Sequence, residues 1–168
     1  MLTTQSFKTK TIMKDKKNPA SSGTWGIAMD IGYSGVKIYS PTQVAVFPSY
    51  AKKVPLGHSD NVIGTLSSSD IAYRCGEDEY LVGSSAVSAL RTGDSDSATG
   101  SLYSRDRYFT PEYLVLARVA LALGMKKNAY GDPEGKKVAV MSGLPPEYLE
   151  RDKGDLTEVL SGEHSFSV

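Results

Sequence analysis

The chain has 168 residues, which is long enough for one domain with a substantial hydrophobic core. Lys and Arg together number 19, and so do Asp and Glu. This balance excludes a strong net charge that would drive general binding to nucleic acid or to an anionic membrane. No apolar run in the sequence approaches the length that a membrane-spanning helix needs.

Cysteine usage bears on the cellular compartment. Cys75 is the only cysteine, which excludes an intramolecular disulfide and is typical of proteins in a reducing cytoplasm. Neither histidine lies near it in sequence, so Cys75 is interpreted as a small strand residue and not as a catalytic nucleophile.

The first 23 residues are basic and polar and end in the linker-like run Pro-Ala-Ser-Ser-Gly. They lack the hydrophobic stretch of a secretory signal. We predict that residues 1–23 form a disordered basic arm, which is either simply solvated or touches a neighbouring subunit.

A strand, a tight turn and an antiparallel return strand are predicted for Thr24 to Ser40. Two short apolar runs, Trp25-Met29 and Val36-Tyr39, flank a glycine-containing turn. A third strand is predicted at Val44-Phe47 after a short connection. These three strands would form a meander.

The middle of the chain contains a long polar loop and a second hairpin. Residues 49–69 are rich in Gly, Pro and Ser, and they are predicted to be either a plain surface loop or a subunit contact. The next elements are a hairpin of Ile71-Arg74 with Glu79-Val82, and a short helix from Gly83 to Leu90.

The second half of the chain contains the clearest helix, Thr110 to Gly124. Thr110 suits the N-cap, Pro111 the first helical position and Gly124 the C′ position. The remaining predictions are a buried strand at Val138-Met141, a helix from Asp155 to Gly162 and a final strand at residues 164–168.

The turn of the first hairpin collects the residues of a phosphate site. Asp30, Ser34 and Lys37 cluster there, and Gly32 and Gly35 can take positive φ and let backbone N–H groups approach a ligand. One acid, one hydroxyl and one lysine at a strand end suit Mg²⁺ with phosphate. The alternative is an ordinary hairpin turn, in which Asp and Gly are also common.

Two motifs carry a family resemblance. Residues 30–37, Asp-Ile-Gly-Tyr-Ser-Gly-Val-Lys, resemble the first phosphate loop D-x-G-x-x-x-x-K of the actin, sugar kinase and Hsp70 superfamily, and within it the actin-like proteins of the ParM type. Residues 137–149, with Gly-Leu-Pro-Pro-Glu-Tyr, resemble the strand and turn near the end of the first subdomain of those proteins.

The resemblance implies an α/β fold, the actin-like (ribonuclease H-like) subdomain, in which a mixed sheet opens with a three-strand meander and is packed by helices. It assigns residues 24–168 to the N-terminal domain, which forms the first half of a nucleotide cleft. The implied cofactors are ATP or GTP with Mg²⁺. Asp30 would organise the metal, and the nucleotide would be bound by Gly32, Tyr33, Ser34, Gly35 and Lys37.

The same resemblance leaves the catalytic machinery outside this chain. No second D-x-G loop and no water-positioning residue are found, so no catalytic residue is assigned, and hydrolysis is expected only when a second domain completes the cleft. Tyr33 also departs from the family, since many members have a small hydroxyl residue there.

The implied function is half of a filament-forming, cytoplasmic ATPase in plasmid or DNA segregation. Its partners would be further copies of itself and a DNA-binding adaptor protein, without direct contact to nucleic acid or membrane. The alternative is a non-catalytic actin-like scaffold or half-domain that binds a protein partner. A sugar or acetate kinase is a third reading, for which the chain offers no recognisable substrate pocket.

Overall fold

The computed structural model describes residues 9–17, 23–57, 70–90, 107–161 and 164. The strands in this part of the chain are Ile12–Asp15 (β1), Thr24–Ile31 (β2), Gly35–Tyr39 (β3), Gln43–Pro48 (β4), Ala51–Val54 (β5), Ile71–Cys75 (β6), Asp78–Val82 (β7) and Lys137–Ser142 (β8). The helices are Ser84–Leu90 (α1), Pro111–Gly124 (α2) and Pro146–Leu160 (α3), and a 3₁₀ turn at Arg107–Phe109 precedes α2. No helix in these ranges is long and apolar enough to cross a membrane.

The main sheet has the order β1-β4-β3-β2-β8. The predicted meander of β2, β3 and β4 is confirmed, with antiparallel pairing throughout. Strand β8 pairs in parallel with β2, so the sheet is mixed. A second, antiparallel sheet has the order β5-β7-β6 and contains the predicted hairpin of β6 and β7. This architecture confirms the predicted α/β class with a mixed sheet.

The core lies between one face of the main sheet and α2. Buried and exposed residues alternate along β2, as the two-residue period of a strand requires. Its buried residues meet the buried side of α2, where Leu116 and Ala120 are fully shielded from solvent. The buried set on the sheet side comprises Trp25, Ile27, Met29, Ile31, Val36, Ile38, Ala45 and Phe47.

Helix α2 begins as the sequence predicts and ends for a different reason. The Thr110 hydroxyl accepts a hydrogen bond from the Tyr113 N–H at 3.2 Å, which confirms the N-cap. Gly124 was expected just beyond the helix as the C′ residue, but it is the last helical residue, and Met125 is the C-cap. A Cβ on Gly124 would lie 2.8 Å from Cγ2 of Ile27. Gly124 therefore allows the helix to approach β2 closely.

This packing gives a prediction with a matched control. Gly124→Ala should destabilise the fold by about 1–2 kcal/mol, because overpacking against Ile27 outweighs the gain of about 1 kcal/mol in helix propensity. Gly154→Ala in α3 has nothing within 4 Å of the new Cβ and should stabilise by about 0.5–1 kcal/mol. Urea unfolding of both variants measures the difference, and two effects of the same sign would contradict it.

Two predicted irregular segments contain strands. The arm of residues 1–23 was predicted to be disordered, which is wrong for Ile12–Asp15, because β1 pairs antiparallel with the edge of β4. The loop of residues 49–69 contains β5, which pairs with β7. Most of the rest of the two predicted segments, residues 1–8, 18–22 and 58–69, lies outside the described residues.

The end of the chain differs from its prediction in two respects. Helix α3 begins at Pro146, not near Asp155, so the predicted capping box lies inside the helix. Strand β8 was predicted to be buried but is mostly exposed: Met141 is 74% exposed and Val140 37%. In the described residues, β8 is an edge strand that pairs only with β2. The predicted strand at 164–168 lies outside the described residues except for His164.

Candidate functional site

The two motifs singled out in the sequence meet at one edge of the main sheet. Strands β2 and β8 run in parallel, and Met29 of β2 is opposite Ser142 of β8. Asp30 and Gly143 therefore follow at the same carboxyl edge, where α/β sheets commonly bind their ligands. The turn after β2 and the Gly143-Leu144-Pro145 turn after β8 both begin there.

Asp30 and Lys37 form the charged pair of this edge. They are directly opposite on β2 and β3, and Nζ of Lys37 lies 3.1 Å from Oδ2 of Asp30. The side chains are 66% and 53% exposed, so the pair contributes at most about 1 kcal/mol to folding. The hairpin thus presents one acid and one ammonium side by side, as its sequence predicts, on a surface that is open to a ligand.

The backbone of the turn differs from its prediction. Neither Gly32 nor Gly35 has positive φ. Glycine suits these positions because there is little room for a side chain. A Cβ on Gly35 would lie 2.9 Å from Cγ2 of Thr9 and 3.3 Å from the Phe47 carbonyl oxygen. The Gly32 N–H donates to the Gly35 carbonyl at 3.2 Å and closes the turn.

The closed turn divides the five predicted nucleotide-binding residues into two groups. Tyr33, Ser34 and Lys37 are exposed, whereas Gly35 is buried and Gly32 partly buried. The Gly32 amide is engaged within the turn and is not directed outward. The parts of the turn that are open to solvent are therefore its tip, Tyr33-Ser34, and the Lys37 side chain.

Sequence reasoning missed Arg107, which comes close to the turn from the 3₁₀ turn before α2. Its guanidinium carbon lies 4.4 Å from the centroid of the Tyr33 ring. Arg107 is only 8% exposed, although Tyr33 is 44% exposed. No local pattern connects two residues so far apart in the chain; the one available signal was an aromatic residue at a turn position where small residues are more usual.

Buried tyrosines lie behind the turn. Burial raises the pKa of Tyr113 well above its ordinary value, against the opposing effect of the Arg107 charge, and the Asp30 carboxylate raises it further. Burial likewise raises the pKa of Tyr108, while its hydrogen bond with Arg107 lowers it. Both phenols are consequently neutral at physiological pH, and they provide polarity beneath the site without adding charge.

The side chains at the turn fit a metal ion that is held mainly by water and by the phosphates of a substrate, with few protein groups. No group of three or more His, Cys, Asp or Glu that could hold a metal occurs in the described ranges. Mg²⁺ is often bound by only one or two carboxylates together with water and substrate phosphates. A single exposed carboxylate, Asp30, next to a lysine fits that arrangement and does not fit a structural metal site.

Comparisons with known proteins address the fold and the family. Two solved structures are similar: "pCBH ParM non-polymerisable quadruple mutant", with a TM-score of 0.55 and 23% identity, and "Crystal structure of apo psk41 parM protein", with 0.57 and 19%. They are matched over 81% and 83% of this chain, which spans 38% and 42% of theirs. Curated proteins give no match. The profile of the family "Actin like proteins N terminal domain" matches residues 28–168, and the chain therefore belongs to this family of actin-like N-terminal domains.

Proposed function

We propose that this chain forms the first half of the nucleotide cleft of an actin-like ATPase and binds the phosphates of ATP or GTP with Mg²⁺ at the β2–β3 turn. The observation that carries the proposal is the exposed Asp30–Lys37 pair, 3.1 Å apart, at the carboxyl edge of the sheet. An ion pair this exposed adds little to stability. Its position at the start of a phosphate-loop motif favours a role in binding.

Each residue of the turn has a distinct role in this proposal. The Lys37 ammonium would neutralise phosphate oxygens, and the Ser34 hydroxyl with the backbone at Tyr33-Ser34 would donate hydrogen bonds to them. The Asp30 carboxylate would accept hydrogen bonds from metal-bound water or bind the metal directly. Mg²⁺, when bound, supplies neutralisation of the charge that develops on the phosphate oxygens during transfer.

Hydrolysis, filament formation and a role in segregation are proposed for a protein that contains both halves of the cleft. Hydrolysis needs a positioned water and charge stabilisation, for which we assign no residue in this chain. Filament formation in the cytoplasm and a role in plasmid or DNA segregation, through a DNA-binding adaptor, are part of the proposal. They rest on membership of the actin-like family and on a fold similar to that of two ParM proteins.

The proposal predicts weak nucleotide binding without turnover by the 168-residue chain alone. We expect a Kd for Mg·ATP on the order of millimolar, equivalent to about −4 kcal/mol, because half of the contacts would be missing. Two-dimensional NMR should detect it as shifts of backbone amides in residues 30–37 on titration with Mg·ATP. Phosphate release should stay at the level of the buffer.

The matched controls are two lysine variants. Lys37→Ala should remove most of the affinity, whereas Lys53→Ala, which breaks the exposed Lys53–Asp78 pair of the second sheet, should leave the titration unchanged. A folded chain whose turn amides do not respond to Mg·ATP would instead favour the scaffold alternative. Micromolar binding by the chain alone would mean that it contains a complete site.

A further inference from the structure

We propose that Arg107 is a positioning residue for the phosphate-binding turn, and that it acts by stacking its guanidinium on the ring of Tyr33. This inference rests on the proposed function of the turn. The Tyr33–Arg107 stack, as we name this pair, joins the tip of the β2–β3 turn to the start of α2. Its distance of 4.4 Å from guanidinium carbon to ring centroid is within the range of a cation–π interaction.

Arg107 is held in place independently of the turn. Its carbonyl oxygen accepts hydrogen bonds from the Thr110 hydroxyl at 2.8 Å and from the Thr110 N–H at 3.1 Å, and Thr110 is the N-cap of α2. Its guanidinium carbon also lies 5.3 Å from the Tyr108 ring centroid and 5.5 Å from that of Tyr113. The backbone of Arg107 is therefore fixed at the start of α2 and its side chain lies among buried rings, and Tyr33 is the member of the group that belongs to the turn.

Within the turn itself, the backbone is closed by a single short-range bond. Backbone closure is provided by one hydrogen bond, from Gly32 to Gly35, and Ser34 is exposed. An aromatic ring at Tyr33 has few rotatable bonds and offers a flat face to a planar guanidinium, so stacking restricts the tip at small entropic cost. The stack thus gives the aromatic residue at this turn position a structural role.

The second motif reaches the same place. A small cavity of about 30 Å³ is lined by Tyr33, Arg107 and Tyr108 together with Pro145, Tyr148 and Asp152 from the β8–α3 turn and α3. Asp152 is 5% exposed and accepts a hydrogen bond from Arg151 at 2.7 Å. The stack consequently lies next to the β8–α3 turn and the start of α3 as well as at the start of α2.

The test uses NMR titration of the 168-residue chain with Mg·ATP and amide exchange of the chain without nucleotide. Tyr33→Leu and Arg107→Gln should each weaken binding about 3–10-fold and accelerate exchange at Ser34 and Gly35. The double variant should be no worse than either single variant, because both remove the same contact. Tyr33→Phe, which keeps the ring, should recover most of the loss seen with Tyr33→Leu.

A matched control separates positioning from general stability. Tyr39 lies at the other end of the same hairpin, 55% exposed, with the Lys16 ammonium 3.5 Å from its ring centroid. Tyr39→Leu removes a comparable contact and should leave both Mg·ATP binding and exchange at Ser34 unchanged. Should Arg107→Gln not fold, the three tyrosine variants still decide the question.

The outcomes distinguish this inference from the function on which it rests. If the natural chain binds Mg·ATP and Tyr33→Leu binds it with the same affinity, the stack is not a positioning device, and the proposed function stays intact. An equal loss in Tyr39→Leu would likewise overturn it. If the natural chain gives no response at the turn, the proposed function fails, and Arg107 has no nucleotide site to position.

Discussion

Replacing Trp25 with Ala should lower the free energy of unfolding by about 3–5 kcal/mol, the largest loss of stability that we expect from one substitution. Trp25 is completely buried on β2, and its indole N–H donates to the Gly124 carbonyl at 2.9 Å. The variant would leave a cavity between the sheet and the end of α2, and the Gly124 carbonyl oxygen would lose the indole N–H that donates to it. Because domains are stable by only about 5–15 kcal/mol, this loss would remove a large share of the free energy of unfolding.

The measurement is urea unfolding followed by far-ultraviolet circular dichroism, since Trp25 is the only tryptophan and its fluorescence disappears with it. Trp25→Phe should cost less, because it keeps much of the buried volume although it loses the hydrogen bond. Tyr39→Ala, an exposed aromatic residue on the neighbouring strand, should change stability by less than about 1 kcal/mol. A loss below about 1.5 kcal/mol for Trp25→Ala would show that the core is not centred on this contact.

The elements that sequence could predict are those specified by local signals. The β2–β3 hairpin follows from two apolar runs around a glycine turn, and the start of α2 follows from Thr110 and Pro111. The facing of Asp30 and Lys37 also follows, because hairpin register is determined by turn length and strand alternation. Local chemistry was thus sufficient for the hairpin and for the charged pair of the candidate site.

What the sequence could not reveal depends on pairing between distant segments. Strand β1 lies within a polar, lysine-rich run and exists through its bonds to the edge of β4. Strand β5, with the sequence Ala-Lys-Lys-Val, shows no alternation of apolar and polar residues and forms by antiparallel pairing with β7. Tertiary contacts override weak local propensity in such segments.

The remaining wrong predictions arose because a residue type was assigned the role that it most often has. The capping-box pattern of Asp155 and Glu158 suggested a helix start at Asp155, but α3 begins at Pro146, a favoured first position. Gly32 and Gly35 were expected to take positive φ and Gly124 to follow the helix as its C′ residue, but all three stand where a Cβ would meet a neighbouring atom. Only the neighbouring elements reveal that role.

The largest effect on activity is expected from Asp30→Ala in a polypeptide that contains both halves of the proposed cleft. Mg²⁺-dependent hydrolysis of ATP should fall by about three orders of magnitude, which corresponds to about 4 kcal/mol of lost transition-state stabilisation. Loss of the carboxylate would leave the metal without its protein anchor and would free Lys37 from its only carboxylate neighbour within the described residues. Folding should change by less than about 1 kcal/mol, since the Asp30–Lys37 pair is exposed.

Asp78→Ala is the matched control for Asp30→Ala, because Asp78 forms an ion pair of similar exposure with Lys53, 2.6 Å apart, on the second sheet. Both variants remove one exposed carboxylate and one surface ion pair, so they should have similar thermal midpoints. Phosphate release at saturating Mg·ATP should be lost in Asp30→Ala and kept in Asp78→Ala. Asp30→Asn should lose nearly as much as Asp30→Ala, because the amide is a poor substitute for a charged metal ligand. Hydrolysis at the natural rate by the Asp30 variants would move the metal site away from the β2–β3 turn.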